Sequence, residues 1–261
     1  MTDRTYQRMV VTRSGARATL ALHNPARKNA IGSVMVNELL WALDDAISDD
    51  AVRVVVLTGS GDAFCAGGDF AQLSGGADGT ELPPKGDYVD LLLAMLRSPK
   101  PIIARVNGPA MGGGLGLVAA SHFAVAESGA KLGTPEVNVG LFPMMIMAVL
   151  ARIVPRRRLM EMMLFGERLT ADKALALGIV GAVVPAAELD GAVAEIEAKI
   201  ASKSPLTIKL GLEAFAAQDD LDMEAALPML RERLGACLAT EDAREGLMAF
   251  LEKRPPVWKG R

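Results

Sequence analysis

The period of the hydrophobic positions changes along the chain. Met9–Arg13 and Ala16–Leu22 mix apolar and polar residues on either side of Ser14-Gly15, which predicts a hairpin. Over Val34–Ile47 the spacing is helical: Val36, Leu39, Leu40, Leu43 and Ile47 share one face, and Ser33 is placed to cap the first turn. Val52–Leu57 is a β-branched run closing at Thr58-Gly59, the pattern of a strand buried on both faces. The order then repeats, with a helix over 87–97, a strand at Ile102–Val106, a helix from about Gly113 to Ala120 and a strand around Phe123–Ala126. Strands alternating with helices predict an α/β fold with right-handed parallel crossovers. The unit of strand, glycine-rich turn and helix recurs weakly, at 52–73 and at 102–120.

Past residue 190 the strand signals stop. Ala192–Ala201, Pro205–Ala217, Met223–Leu238 and Glu241–Lys253 carry helical spacing and many alanines. No Gly-, Ser- or Pro-rich linker divides the chain, so the pattern predicts one α/β core over 1–190 with a helical part over 191–261. Leu227, Met229, Leu230, Leu234 and Leu238 form an apolar face that fits packing on its own domain or against another subunit.

Composition narrows the class of partner. Of 261 residues, 51% are hydrophobic and 23% charged, the mix of a well-cored globular protein. Lys plus Arg total 28 against 31 Asp plus Glu, and a net charge of −3 provides no footprint for a nucleic-acid backbone. Two cysteines, Cys65 and Cys237, make no disulfide framework, which points to a reducing cytoplasm. The apolar runs Val139–Ala151 and Pro101–Ala120 are too short or too interrupted for the roughly 20 residues of a membrane span. Both read as buried core, and no membrane partner is expected.

Several chemistries lack their residues. There is no phosphate-binding GxxxxGK[ST], no GxSxG elbow, and no GxGxxG after a strand with an acid downstream, so flavin and nicotinamide are not expected. The two histidines, His23 and His122, do not support a metal site, and His122 fits a structural place at a helix end. Two glycine-rich turns remain. The first is Phe64-Cys65-Ala66-Gly67-Gly68-Asp69, where Cys65 reads as filler. The second runs Asn107-Gly108-Pro109-Ala110-Met111-Gly112-Gly113-Gly114. Each follows a strand and opens toward a helix, so free N–H groups there suit a phosphate or the oxyanion of a carbonyl; a tight turn without ligand is the alternative. A third segment, Leu132–Pro143, sets Glu136 among Val137, Val139, Leu141, Phe142 and a methionine cluster at Met144, Met145 and Met147. Poor solvation there raises a carboxylate toward general-base range, unless Glu136 merely follows Pro135 as a helix-start acid.

Together these segments resemble the crotonase superfamily, the enoyl-CoA hydratase/isomerase family. The ordered matches are FCAGGD, PIIARVNGPAMGGGLGL, LGTPEVNVGLFP, TADKALALGIV and DAREGLMAFLEKRPPVW, spanning roughly residues 8 to 258. The resemblance implies a spiral of ββα repeats followed by helices that trimerise, with trimers pairing into hexamers. It implies an acyl-CoA thioester as ligand, coenzyme A being part of the substrate and no other cofactor needed. By motif position the two carbonyl-binding N–H groups fall on Ala66 and Gly113, within a binding surface of Gly67, Gly68, Asp69 and Gly112. Lys28, beside Arg27, and Phe250 and Lys253 of the closing helix match positions that contact the CoA handle, the last two on a neighbouring subunit.

One departure bears on the reaction. Hydratases of the family carry two glutamates; Glu136 matches the second, and the first falls on Gly116. A single carboxylate suits shuttling one proton better than activating water, so the expectation leans to double-bond isomerisation over hydration, with a non-catalytic acyl-CoA binder as the rival class. Glu81, Asp87 and Asp90, in or beside a Gly- and Pro-rich stretch over 74–87 that could form a flap, are candidate replacement acids or plain solvated charges. Asp69 is expected to brace its turn, Asn138 to bind a polar acyl group or hold a turn, and Arg156-Arg157-Arg158 to start a solvated helix.

Overall fold

The computed structural model describes residues 4–69 and 82–261. Among the described residues its main sheet has six strands. β1 (Met9–Ser14) and β2 (Arg17–Leu22) form the expected antiparallel hairpin, and β3 (Val54–Gly59), β4 (Ile102–Val106), β6 (Phe123–Glu127) and β9 (Ala182–Val184) add in parallel. A second sheet pairs β5 (Ala110–Met111), β7 (Lys131–Gly133) and β8 (Arg168–Thr170). Its strands have two or three residues each, too few for a period to show in the sequence.

The period of two along the central strands separates two cores. Val55, Leu57, Ile102, Ala104, Val106, Ala124 and Ala126 face one way, into the large core shared with α1 (Ser33–Ser48), α2 (Tyr88–Leu96) and α3 (Gly113–Ala119). Val54, Val56, Ile103 and Val125 face the other way. α4 (Met144–Leu150), α5 (Arg156–Phe165) and α6 (Ala171–Ala176) complete the first layer. α7 (Leu189–Ala201) covers the second face through Leu189, Val193 and Ile200. The division expected at residue 190 therefore falls just inside the helix that closes the sheet. α8 (Pro205–Gln218), α9 (Met223–Leu238) and α10 (Glu241–Leu251) follow, and their few buried side chains include Ala214, Ala226 and Ala249.

Two local expectations are corrected. Ser33 is the first residue of α1 rather than its cap; Gly32 holds the cap position without a side-chain bond. Val139–Ala151 is not uniformly core: Ile146, Val149 and Leu150 are buried, whereas Val139, Leu141, Met144 and Met145 are exposed. The run crosses from a 3₁₀ turn (Pro135–Val139) into α4, so only one face of that helix meets the interior.

Candidate active site

Both glycine-rich turns are locked to the second sheet and to the loop before α1. Cys65 N–H donates to Pro109 O at 3.0 Å, Met111 N–H to Cys65 O at 2.9 Å, and Gly112 N–H to Gly133 O at 2.9 Å. On the other side, Ile31 N–H donates to Gly67 O at 2.7 Å and Asp69 N–H to Ile31 O at 2.8 Å. Parallel pairing of this kind uses the amides flanking Gly68 and leaves its own N–H without an acceptor among the described residues. Gly113, first residue of α3, likewise has an N–H without an intrahelical acceptor.

The assignment of Ala66 as a carbonyl-binding donor is corrected here. Its N–H donates to Lys28 O at 2.9 Å, so it serves to hold the turn. Gly68, two residues on, lines the cleft and has an N–H without an acceptor among the described residues. The motif alone did not fix which amide points outward, because that depends on the pairing with Ile31.

Gly68, Gly113 and Glu136 line one cleft of ≈ 470 Å³, together with Asp69, Ile31, Val36, Tyr88, Leu141, Phe142, Met144 and Met145. A larger groove of ≈ 1320 Å³ lies by β6, α7 and α8, and none of the predicted site residues line it. Glu136 is half-buried at the start of the 3₁₀ turn, and its Oε2 is buried with no hydrogen-bond partner among the described residues. Loss of solvation raises its pKa above the ordinary carboxylate value, and its own backbone N–H only partly offsets this. Among the described residues, the other carboxylates lining the cleft are Asp69 and Asp87. Asp69 is buried and receives both bonds of Arg27 Nη1, at 2.6 and 2.8 Å, bracing the turn as expected. Asp87 caps α2, accepting from the N–H groups of Val89 and Asp90, while Asp90 accepts from Asp87 N–H. Both are exposed at the start of α2, Asp87 accepting through Oδ1 and Asp90 through Oδ2. Glu81 and most of the expected flap lie outside the described residues.

Other sequence candidates resolve into structural roles. His122 Nδ1 accepts from Ile102 N–H at 3.1 Å, and burial lowers its pKa. Cys65 is fully enclosed, and burial pushes its thiol up to about 12. Asn138 is exposed and donates to Gly166 O at 3.1 Å, away from the cleft. Arg156, Arg157 and Arg158 open α5 as exposed residues. Lys28 is exposed, beside the first turn through its carbonyl. Phe250 and Lys253 are exposed at the end of α10 and line no part of the cleft in a single chain. The residue that sequence reading missed is Tyr88, whose hydroxyl donates to Gly113 O at 2.5 Å. Nothing around it forms a motif; its rarity, as one of two tyrosines, was the only signal.

The geometry thus combines two free amides with a poorly solvated carboxylate on an apolar cleft, a set able to hold a carbonyl oxygen while a proton is taken from the neighbouring carbon. Residues 12–261 match the family model described as enoyl-CoA hydratase/isomerase. The chain belongs to the enoyl-CoA hydratase/isomerase family. Within this crotonase superfamily it is 39% identical over 250 residues to a probable enoyl-CoA hydratase of Bacillus subtilis, covering 93% of this chain and 95% of that protein. It is 32% identical to the short-chain-enoyl-CoA hydratase of Clostridium acetobutylicum, covering 94% and 95%. The crystal structure of human enoyl coenzyme A hydratase domain-containing protein 3 superposes with a TM-score of 0.88 at 32% identity, covering 97% of this chain and 100% of that one. The mixed α/β fold with helices at the C-terminus is that of the family, and the family makes this chain an enzyme of the hydratase/isomerase type. Among the described residues no group of three His, Cys, Asp or Glu could hold a metal ion, and no helix is long and apolar enough to cross a membrane.

Proposed function

We propose that this enzyme moves a carbon–carbon double bond along an acyl-CoA thioester, with Glu136 as its only acid/base. The observation that carries this reading is Glu136 Oε2, buried and without a hydrogen-bond partner among the described residues, on a cleft whose other described carboxylates hold Arg27 or cap α2. The thioester oxygen accepts from the N–H groups of Gly68 and Gly113. In a 3-enoyl thioester, Glu136 takes a proton from C2, and the electron pair spreads over the carbonyl and C4 as a dienolate. The two amides stabilise the oxygen charge. The protonated Glu136 then returns its proton to C4, which leaves the double bond at C2–C3. The same carboxyl takes and gives the proton, so the sequence needs no second acid, no water and no resident cofactor.

The ligand's CoA handle falls to Lys28, which reaches solvent beside the first turn, and to Phe250 and Lys253 from a neighbouring subunit. This assignment presumes an assembly built on threes, a trimer or a pair of trimers, for which the exposed leucines of α9 provide an apolar face. A cytoplasmic setting suits the two unpaired thiols.

The second reading is hydration, favoured by the hydratase names of the relatives. Turnover of 3-hexenoyl-CoA and of crotonyl-CoA, followed by thioester absorbance, separates the two. Faster isomerisation supports the proposal, faster hydration replaces it, and tight binding with neither reaction marks a non-catalytic binder.

A further inference from the structure

A side chain at Gly116 would need Tyr88 and Ile146 to move. Gly116 is buried in the middle of α3, and a β-carbon built there would collide with the hydroxyl of Tyr88 and with Ile146 Cγ2. The space into which residue 116 would project is therefore already filled, from α2 by a phenol and from α4 by an aliphatic branch. We propose that Tyr88 is the specificity-determining residue of this site, its phenol occupying the place beside Gly116 and Glu136 where a second acid would hold a water, so that proton shuttling is kept and hydration is suppressed. The inference rests on the single-base reading of Glu136.

Three features fix the phenol in that role. Its hydroxyl donates to Gly113 O at 2.5 Å, on the same residue whose N–H faces the cleft, so the proton of the phenol is committed to the protein. Tyr88 is the first residue of α2, directly after the reciprocal cap of Asp87 and Asp90. The approach to that cap is anchored by Asn37 of α1, whose Oδ1 accepts from the N–H groups of Lys85 and Gly86, the latter at 3.1 Å. Asn37 Nδ2 in turn donates to Ser33 O at 2.9 Å. The ring is thus tied at both ends. Burial, with the neighbouring Cys65 and Glu136 adding to it, raises the ionisation of Tyr88 well above its ordinary value, so the group stays a neutral phenol. A neutral phenol with its proton already donated is a poor base for water, yet it closes the cavity that water would need.

The test compares wild type, Tyr88→Phe and Tyr88→Ala for two reactions, hydration of a 2-enoyl-CoA and isomerisation of a 3-enoyl-CoA. Thermal melting establishes that each variant is folded. The expected result is a hydration-to-isomerisation ratio of kcat/KM raised at least about threefold by Tyr88→Phe and at least about tenfold by Tyr88→Ala, because both open space beside Gly116 in the cleft that Glu136 lines. A role confined to packing would lower both rates together and leave the ratio where it was. A folded Tyr88→Phe with a smaller change in the ratio overturns the proposal, and this variant, which removes one oxygen atom, decides the matter if Tyr88→Ala unfolds. The single-base reading fails separately, if the wild type does not turn over the 3-enoyl thioester. In that event the hydration rate alone still reads the effect of Tyr88, with the same threefold gain expected.

Discussion

Gly112 holds its backbone at φ +50°, ψ −122° directly against the carboxylate of Glu136, and a β-carbon on it would stand 2.7 Å from Glu136 Oε1. The glycine is thus required twice, for a conformation that L-residues seldom adopt and for the close approach of an acid. Gly112→Ala is expected to cost about 1–3 kcal/mol from the backbone alone. It should also displace Glu136, so kcat falls by more than the melting temperature implies. Thermal melting and steady-state rates on the same preparation check this.

Removing the ionisable group while keeping its shape isolates the proton transfer. Glu136→Gln is expected to retain acyl-CoA binding and to lose about 10²–10⁴-fold in kcat, the usual share of a general acid–base group. Because desolvation holds the Glu136 pKa above the ordinary carboxylate value, the acid limb of the wild-type kcat/KM profile should lie above that value too. A loss under about tenfold would remove Glu136 from the mechanism.

The same shift makes a prediction about stability, with a definite sign. A carboxyl whose pKa is raised in the folded state binds its proton more tightly there than in the unfolded chain. Stability from this group is fully present below the unfolded value and is lost as pH rises through the folded one. Glu136→Gln should therefore melt close to wild type in acid and above it at neutral pH. Melting curves across that range would count against the buried, unpartnered carboxylate if the gap closed instead of opening.

How far the sequence carried the site can be judged at three residues. Glu136 was legible because a lone acid in an apolar run has only a few physical readings, and the hairpin and β3, β4 and β6 were legible because their apolar and β-branched segments are long enough to stand out between turn residues. Gly68 was not, since only the pairing of the first turn with Ile31 decides which amide faces outward, and the motif gives the turn without its partner. Tyr88 was not, since its part in the site depends on α2 crossing α3 at Gly116, a tertiary contact with no local signature. The short strands β5, β7 and β8 escaped for a related reason: their pairing, rather than any pattern of their own, makes them strands.

That crossing can be measured. Gly116→Ala is expected to destabilise by about 1–3 kcal/mol, because the added methyl meets Tyr88 and Ile146 in a filled interior. In a Tyr88→Phe background the loss should be smaller, since the atom of Tyr88 nearest to the new methyl is gone. Denaturant unfolding of the four proteins gives the coupling, and strictly additive losses would mean that the two residues do not share the space.

The helices after α7 leave apolar surface that one chain does not cover. On α9, Leu227, Leu234 and Leu238 are 61%, 58% and 58% exposed, and on α10 Phe250 is 81% exposed. Fully burying one leucine contributes about 1.5–3 kcal/mol, so a face of several can offset the cost of ordering neighbouring chains. The α9 residues are spaced seven and four apart and so lie on one side of the helix. A contiguous apolar face of this kind is expected at a subunit contact. Light scattering at micromolar concentration should give a mass that is a multiple of three chains. Leu234→Asp, which puts a charge at the middle of that face, should shift the mass toward one chain while the main sheet stays folded. A wild-type monomer, or an assembly indifferent to Leu234→Asp, would mean that α9 is not the contact and that Phe250 and Lys253 do not reach a neighbour's ligand by this route.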